Sequence, residues 1–546
     1  MSSEIPGTTS RVRPLPLAGI LRLGRPSDIW FKPALSVVAA VAPPNLTLLA
    51  VGRLDLAVYT MAGSLCALYA HNRPYAARAR VLALVVLGMV GGLAVALTAA
   101  SLTANAVVLV TVGALLAALQ KALCDATRIG PPGNVIFAFI TSASLFAPQS
   151  PGQVPAHVAL AAAAGAWSWI VGMAPGLLRP HGPERRAVAQ ALNAAAAFAE
   201  SGEATARAGA AAAVHNAWQS LLSTGARSAA RRPLERLVVR AEVAMAAPDD
   251  SEPERLRVWA RALRGTGPLP RPAEPGGTAD RLLGVEAELD RPRRPWRQAL
   301  GPLAPLALRT ALGCALAGYV SLALGVGRPY WALVTAASIY QANVTLTWRR
   351  GVQRIVGNLA GVLVFAAVAP VAHAGRFALV VCCLVLNFGA EALIGRNYWL
   401  GSVCVTPMAL LISEFARYQE PGGLMADRVL DTLIGALVGF VAAIAVTNRR
   451  AGDRIEHALA AVERARGVAS GVMAAEHPEP RALESARREL AAAVTDLRAA
   501  ADAAAGEWWQ RALPEERVLR AERAGHRTLA ATVRRQGLHI SEGSRV

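Results

Sequence analysis

The chain has 546 residues, 54% of them hydrophobic, and a mean hydropathy of +0.36, which excludes an ordinary soluble globular protein of this size. Its formal net charge is +19, carried almost wholly by arginine, because Lys32 and Lys121 are the only lysines. The arginines sit beside apolar runs and on polar helical stretches, so no nucleic acid partner is expected and contact with anionic membrane lipid is.

Taken in order, residues 1–32 form a polar segment with Arg11, Arg13, Arg22, Arg25 and Lys32. No signal-peptide cleavage pattern follows it, and the N-terminus is expected in the cytoplasm. A first membrane repeat, 33–180, carries six apolar runs at 33–51, 54–71, 81–100, 104–121, 133–148 and 156–178. Its loops at 71–80, 121–128 and 179–186 are basic, whereas 101–105 and 148–157 contain no Lys or Arg. That alternation is the positive-inside pattern for six spans with both ends inside.

Residues 181–300 change to Ala, Arg and Glu at helical spacing, with breaks at Pro248 and at 265–277 and a basic re-entry at Arg291, Arg293, Arg294 and Arg297. A second repeat, 301–448, has runs at 303–324, 330–344, 352–372, 376–394, 398–413 and 427–447, with basic loops at 349–354, Arg396 and Arg449 with Arg450. The tail, 449–546, reads as a further cytoplasmic helical region. The expectation is an all-α, multi-pass plasma (inner) membrane protein of about twelve transmembrane helices in two parallel six-helix repeats, with cytoplasmic helical regions and both termini cytoplasmic.

The halves share a plan. Gly52 and Arg53 precede the second run as Gly327 and Arg328 precede the eighth. Glycines four apart, Gly88 with Gly92, Gly357 with Gly361 and Gly435 with Gly439, mark expected packing faces, where backbones approach closely. These faces and the tail helices leave room for a homo-oligomer. The six cysteines, Cys66, Cys124, Cys314, Cys382, Cys383 and Cys404, lie in or beside apolar runs and read as small core residues.

The chain is organised around residues 327–372, where two apolar runs flank the basic knot Trp348, Arg349, Arg350 and Arg354. This stretch reads as a hairpin with its basic turn in the cytoplasm. The run 330–344 is short of the ~20 residues that span a bilayer, so Gln341 and Asn343 should face a cavity or a neighbouring helix. GRPYWALVTAASIYQ, WRRGVQRIVGNLAGVL and RVLDTLIGALVGFVAA, in that order, resemble the fusaric-acid-resistance-like (FUSC) integral membrane family, which overlaps the aromatic acid exporters. The resemblance is close over 303–446. It implies a twelve-helix exporter or anion-handling membrane protein and leaves the substrate open.

The chain has no Walker A, since neither lysine follows glycine, so transport would run on a gradient or on the membrane potential. Without a compact His cluster or a Gly-x-Ser-x-Gly elbow, no metal, no cofactor and no enzymatic activity are expected. Arg349, Arg350 and Arg354 read either as topology anchors or as planar forks for a carboxylate, with Asn358 one turn further along the same face. Tyr330 and Trp331 read as an interfacial belt or, with Trp348, Tyr340 and Phe365, as ring surfaces for an aromatic substrate. Asp431, on the face of Arg428, and Glu391, on the face of Asn387, read as locally paired carboxylates or as proton-coupling groups. The function expected is gradient-driven export of small organic anions, aromatic carboxylic acids above all. The alternatives are a passive organic-anion channel and a non-transporting scaffold acting through its cytoplasmic helices.

Overall fold

A computed structural model describes residues 15, 17–24, 29–127, 129–223, 231–246, 248, 251–265, 267–270, 297–341, 343–446, 451–505 and 514–542. The N-terminal Arg11, Arg13 and Arg25, the re-entry residues Arg291, Arg293 and Arg294, and the pair Arg449 and Arg450 lie outside them. Among the described residues every regular element is helical.

The first apolar block comprises α1 (Phe31–Ala50), α2 (Ala57–Ser64), α3 (Tyr75–Leu102), α4 (Ala106–Ala126), α5 (Val135–Leu145) and α6 (Val154–Met173). Four polar helices follow, α7 (Gly182–Ser201), α8 (Ala204–Leu222), α9 (Arg232–Ala246) and α10 (Pro253–Arg264). The second apolar block comprises α11 (Arg297–Ala323), α12 (Pro329–Ile339), α13 (Val344–Ala372), α14 (Arg376–Ile394), α15 (Tyr398–Ser413) and α16 (Pro421–Ala445). The chain closes with α17 (Ala451–Ala474), α18 (Pro480–Ala505) and α19 (Glu515–Glu542).

Among the described residues, eight helices, α1, α3, α4, α6, α11, α13, α14 and α16, are long and apolar enough to cross a membrane. Their outer faces are apolar as well. On α3, Leu82, Val85, Met89, Leu93 and Leu97 are buried while Leu84, Leu87 and Val95 stay exposed, a pattern that suits lipid on the outside.

The two shortest elements of the apolar blocks are the most enclosed. In α12 every residue but Tyr330 is buried, and α2, flanked by 3-10 turns at Leu54–Leu56 and Leu65–Leu68, is enclosed almost as fully. Neighbouring helices, rather than lipid, satisfy their surroundings, so neither needs bilayer length. A Cβ on Gly63 of α2 would lie 2.2 Å from the Ala161 carbonyl oxygen of α6, and one on Gly435 of α16 would lie 2.4 Å from that of Ala332 on α12. Gly357 and Gly361 meet α15 in the same way, while Gly88 and Gly92 face Phe137, Gln120 and Thr141.

Packing repeats between the blocks. The short α2 packs on α6 as α12 packs on α16, and α1 packs on α14 as α11 packs on α4. First element of each block against fourth of the other is the pairing expected of a two-fold relation.

One expectation is corrected. The basic knot is not the turn of a hairpin: the break falls between Ile339, the last residue of α12, and Val344, the first of α13, and Arg349, Arg350 and Arg354 lie on α13 itself. Asn343 accepts a hydrogen bond from Leu346 N at 2.8 Å and caps the helix there. Nothing between Val344 and Arg354 interrupts a helix, since it contains no proline.

The polar helices form two bundles. Val188, Leu192, Trp218 and Leu237 centre one, and Val462, Leu490 and Leu497 centre the other. They meet where α8 packs on α18 and α9 on α19, with Arg487 clamped by Glu484 and Glu242.

Candidate functional site

The site grows from the end of α12. Tyr340 leaves the helix with extended backbone, donates its hydroxyl to the Gly439 carbonyl of α16 at 3.0 Å, and occupies the space a side chain on Gly313 would need. Asn343 then starts α13 and donates Nδ2 to the Asp502 carbonyl of α18 at 3.3 Å. Asn343 is thus a structural cap that ties the break to the tail bundle.

Two arginine pairs, each on one aromatic ring, follow inside the second block. The Arg350 guanidinium lies 3.3 Å from the Tyr398 ring centre, and Arg354 Nη1 donates to the Tyr398 hydroxyl at 2.8 Å. Arg428 lies 5.0 Å from the Trp331 ring centre, and Arg328 lies 5.1 Å from it. Arg328 is satisfied by Gln419 and stands 3.7 Å from Asp427. The inner members are not satisfied: Arg354 is 4% exposed with Nε unpartnered, and Arg428 is 1% exposed with Nε and Nη1 unpartnered. Ring contact supplies only ~0.5–2 kcal/mol against the several kcal/mol of desolvating a guanidinium. Both guanidiniums are therefore under-compensated where they stand.

The remaining candidates divide. Arg350 and Arg354 converge on Tyr398, whereas Arg349 points outward and is exposed. Asn358 accepts from Thr406 and leaves its amide nitrogen unpartnered. Gln341 donates to the Tyr340 carbonyl at 3.0 Å and lines a cavity. Trp331 is 1% exposed, which corrects the interfacial-belt reading: the small residues around α12 let neighbouring helices close over it. Tyr330 is half-buried between Trp331 and Phe146. Asp431 does not pair with Arg428. It accepts from Ser321 Oγ at 2.6 Å and keeps Oδ2 unpartnered, while the Arg428 side chain turns to Trp331.

Below the arginines lies a vestibule of about 1240 Å³ between the two blocks. Arg73, Lys121, Arg309, Arg350 and Arg454 line it against Asp125 and Glu391. Lys121 and Asp125 pair at 3.1 Å, so the wall keeps a positive excess. Ala499, Ala500, Ala503 and Ala504 of α18 form part of its cover. At its edge, burial and the Arg78 guanidinium push His71 down to about 3, and the neutral ring sits 3.2 Å from Arg78 through Nδ1. Among the described residues, no group of three His, Cys, Asp or Glu side chains is placed to hold a metal ion.

Sequence reasoning missed a repeat that the site displays. Tyr69 and Asn72 follow α2 and its 3-10 turn with the same Tyr-x-x-Asn spacing by which Tyr340 and Asn343 follow α12. Both tyrosines donate to glycine carbonyls, Tyr69 to Gly133 at 2.7 Å and Tyr340 to Gly439, and both breaks open on the vestibule. Likewise Tyr59 of α2 stacks with His157 of α6 at 3.9 Å, as Trp331 of α12 meets Arg428 of α16. Tyr398, which gathers Arg350 and Arg354, carried no signal in sequence because its partners are 44 and 48 residues away.

Residues 315–442 match the family model described as fusaric acid resistance protein-like, the segment that holds Arg328, Arg350, Arg354 and Arg428 with Trp331, Tyr340 and Tyr398. The chain is 28% identical over 214 residues to an uncharacterized membrane protein, YvaC, of Bacillus subtilis, covering 38% of this chain and 32% of that one. It is 30% identical over 140 residues to an uncharacterized protein of Haemophilus influenzae, covering 25% and 18% respectively. The matches therefore span about a third of the first relative's length and less than a fifth of the second's. No solved structure matches.

Proposed function

We propose that this membrane protein, with its fusaric-acid-resistance-like segment at the centre, moves small organic anions out of the cytoplasm across the plasma (inner) membrane, aromatic carboxylates among them. The observation that carries the reading is the pair of buried, under-partnered guanidiniums, Arg354 and Arg428, each seated on an aromatic ring within the second block. A carboxylate matches the planar fork of Arg, and an aromatic body matches the neighbouring rings. In this reading the vestibule is the cytoplasmic mouth and its positive wall concentrates anions, with Arg350 the first fork they meet. The chain would then use an ion gradient or the membrane potential, with Glu391 at the vestibule wall and Asp431 deeper in as proton-coupling groups.

A passive anion pathway is the second reading. It is favoured by one observation, that Arg350 and Arg354 are organised by Tyr398 rather than by a carboxylate, so this gathering of charge does not depend on a titrating group. Uptake of labelled 4-hydroxybenzoate into inverted vesicles separates the two. Accumulation that an uncoupler and Asp431→Asn abolish supports coupled export. Flux that survives both but disappears in Arg354→Gln supports the passive pathway, and flux no greater than in empty vesicles across a panel of organic anions rejects transport.

A further inference from the structure

The polar helices line a second cavity, of about 480 Å³, between α8 and α9 of one bundle and α18 and α19 of the other. It shares no lining residue with the vestibule. Its volume falls in the range of small-molecule sites, roughly 300–1,000 Å³.

Two adjacent arginines meet it in opposite conditions. Arg487 is saturated: it donates to both Glu484 oxygens and to Glu242. Arg488 is 8% exposed, donates Nε to Glu484 Oε1 at 2.7 Å, and sits over Trp218 with its guanidinium carbon 4.1 Å from the ring centre. Its Nη1 and Nη2 have no partner. Trp218 is itself fixed, donating Nε1 to Glu242 at 3.0 Å. The edge of Arg488 that remains unpartnered is the two-donor edge that takes a carboxylate in bidentate fashion, held in place on one side by a carboxylate and on its face by a ring. Leaving two buried donors unmade is costly to the empty protein, and a bound anion removes that cost.

The rest of the wall describes the ligand's body. Val214, Leu222, Met245 and Leu529 are apolar, and Arg207 and Arg527 add positive charge. Burial, with Arg207 nearby, lowers the His526 pKa, so that side chain presents a neutral ring beside them. We infer that this cavity binds a small carboxylate with a flat apolar body, of the size of benzoate, its two oxygens on Nη1 and Nη2 of Arg488. The site belongs to the polar bundles and shares no lining residue with the vestibule.

Benzoate titrated into the full-length protein in nanodiscs, followed by calorimetry, tests this, with neutral benzamide as the control. Saturable benzoate binding is expected, with benzamide weaker by about tenfold or more, since a hydrogen bond to a charged group accounts for about ten- to a hundredfold. Arg488→Gln and Arg488→Lys are each expected to weaken benzoate, the lysine because it keeps charge but loses the fork. Ala211→Phe, which places a ring in the cavity and keeps the Arg488 side chain, is expected to abolish this binding. Arg354→Gln is expected to leave it in place, which separates it from binding in the membrane. No benzoate binding, equal binding of benzamide, or binding indifferent to both Arg488→Gln and Ala211→Phe overturns the assignment.

Discussion

Arg354 donates Nη1 to the Tyr398 hydroxyl at 2.8 Å, while the face of the same ring carries Arg350 at 3.3 Å. One tyrosine therefore positions two cations from successive turns of α13. Tyr398→Phe keeps the ring and Arg350 but leaves another buried donor of Arg354 unmet, at about 1–3 kcal/mol. The expected outcome is a lower unfolding temperature and weakened anion uptake, with Arg350→Ala weakening uptake at little thermal cost. Paired thermal unfolding and vesicle flux measurements check both.

Arg428 offers the opposite combination. Its side chain is sealed, stacked on Trp331, and has no carboxylate in ion-pair reach among the described residues. Replacing an under-compensated buried charge by an apolar chain of similar length is often neutral or stabilising by about 1–4 kcal/mol. Arg428→Met should therefore match or exceed the intact protein in thermal unfolding and yet lose uptake. A variant that is both less stable and fully active would remove Arg428 from the path.

Glycine contacts give a prediction about packing alone. A Cβ on Gly435 would stand 2.4 Å from a backbone oxygen of α12, which cannot move as a side-chain tip can, whereas one on Gly351 of α13 meets nothing within 4 Å. Gly435→Ala should destabilise by about 1–3 kcal/mol through overpacking. Gly351→Ala should stabilise by up to about 1 kcal/mol, because a helix interior favours alanine over glycine. Unfolding in detergent, compared between the two, checks the sign of each.

His71 makes stability depend on pH in a stated direction. An unfolded histidine takes up a proton near about 6.5, whereas folded His71 does so only at about 3, because burial and Arg78 oppose its charge. The folded pKa is depressed, so the contribution is complete above about 6.5 and is lost progressively as pH falls towards about 3. Between about pH 7 and pH 5 the intact protein should lose more thermal stability than His71→Gln. Equal slopes would mean that folded His71 takes up its proton as readily as the unfolded chain does.

Much of this architecture was legible because lipid imposes a simple code. The apolar runs at 376–394 and 398–413 coincide with α14 and α15. Elsewhere the ends moved, since hydropathy marks what lipid touches and not where a helix starts: α13 begins at Val344 under the Asn343 cap, and the arginines it carries into the protein were therefore read as a loop. The arginines of the site were visible as charges, but their partners were not. Tyr398, Trp331 and Ser321 come to Arg354, Arg428 and Asp431 from other helices, and only tertiary packing decides that Arg428 turns to a ring instead of to its neighbour Asp431. The Tyr-x-x-Asn repeat after each short helix was in plain sight but short, and its meaning lies in the carbonyls the tyrosines reach.

The tail helix α18 has a second address. Near its start it presents Arg488 to the cavity between the two polar bundles, and roughly 20 Å along the same rod, at ~1.5 Å per residue, it covers the vestibule and receives Asn343. Cutting the chain at residue 449 would therefore unroof the chamber as well as delete a bundle. A dead or leaky truncation would follow equally from a transporter that had lost a wall and from a scaffold that had lost its module. Point changes that keep the rod whole, Arg488→Lys at one end and Asn343→Ala at the other, are the way to ask what the tail contributes.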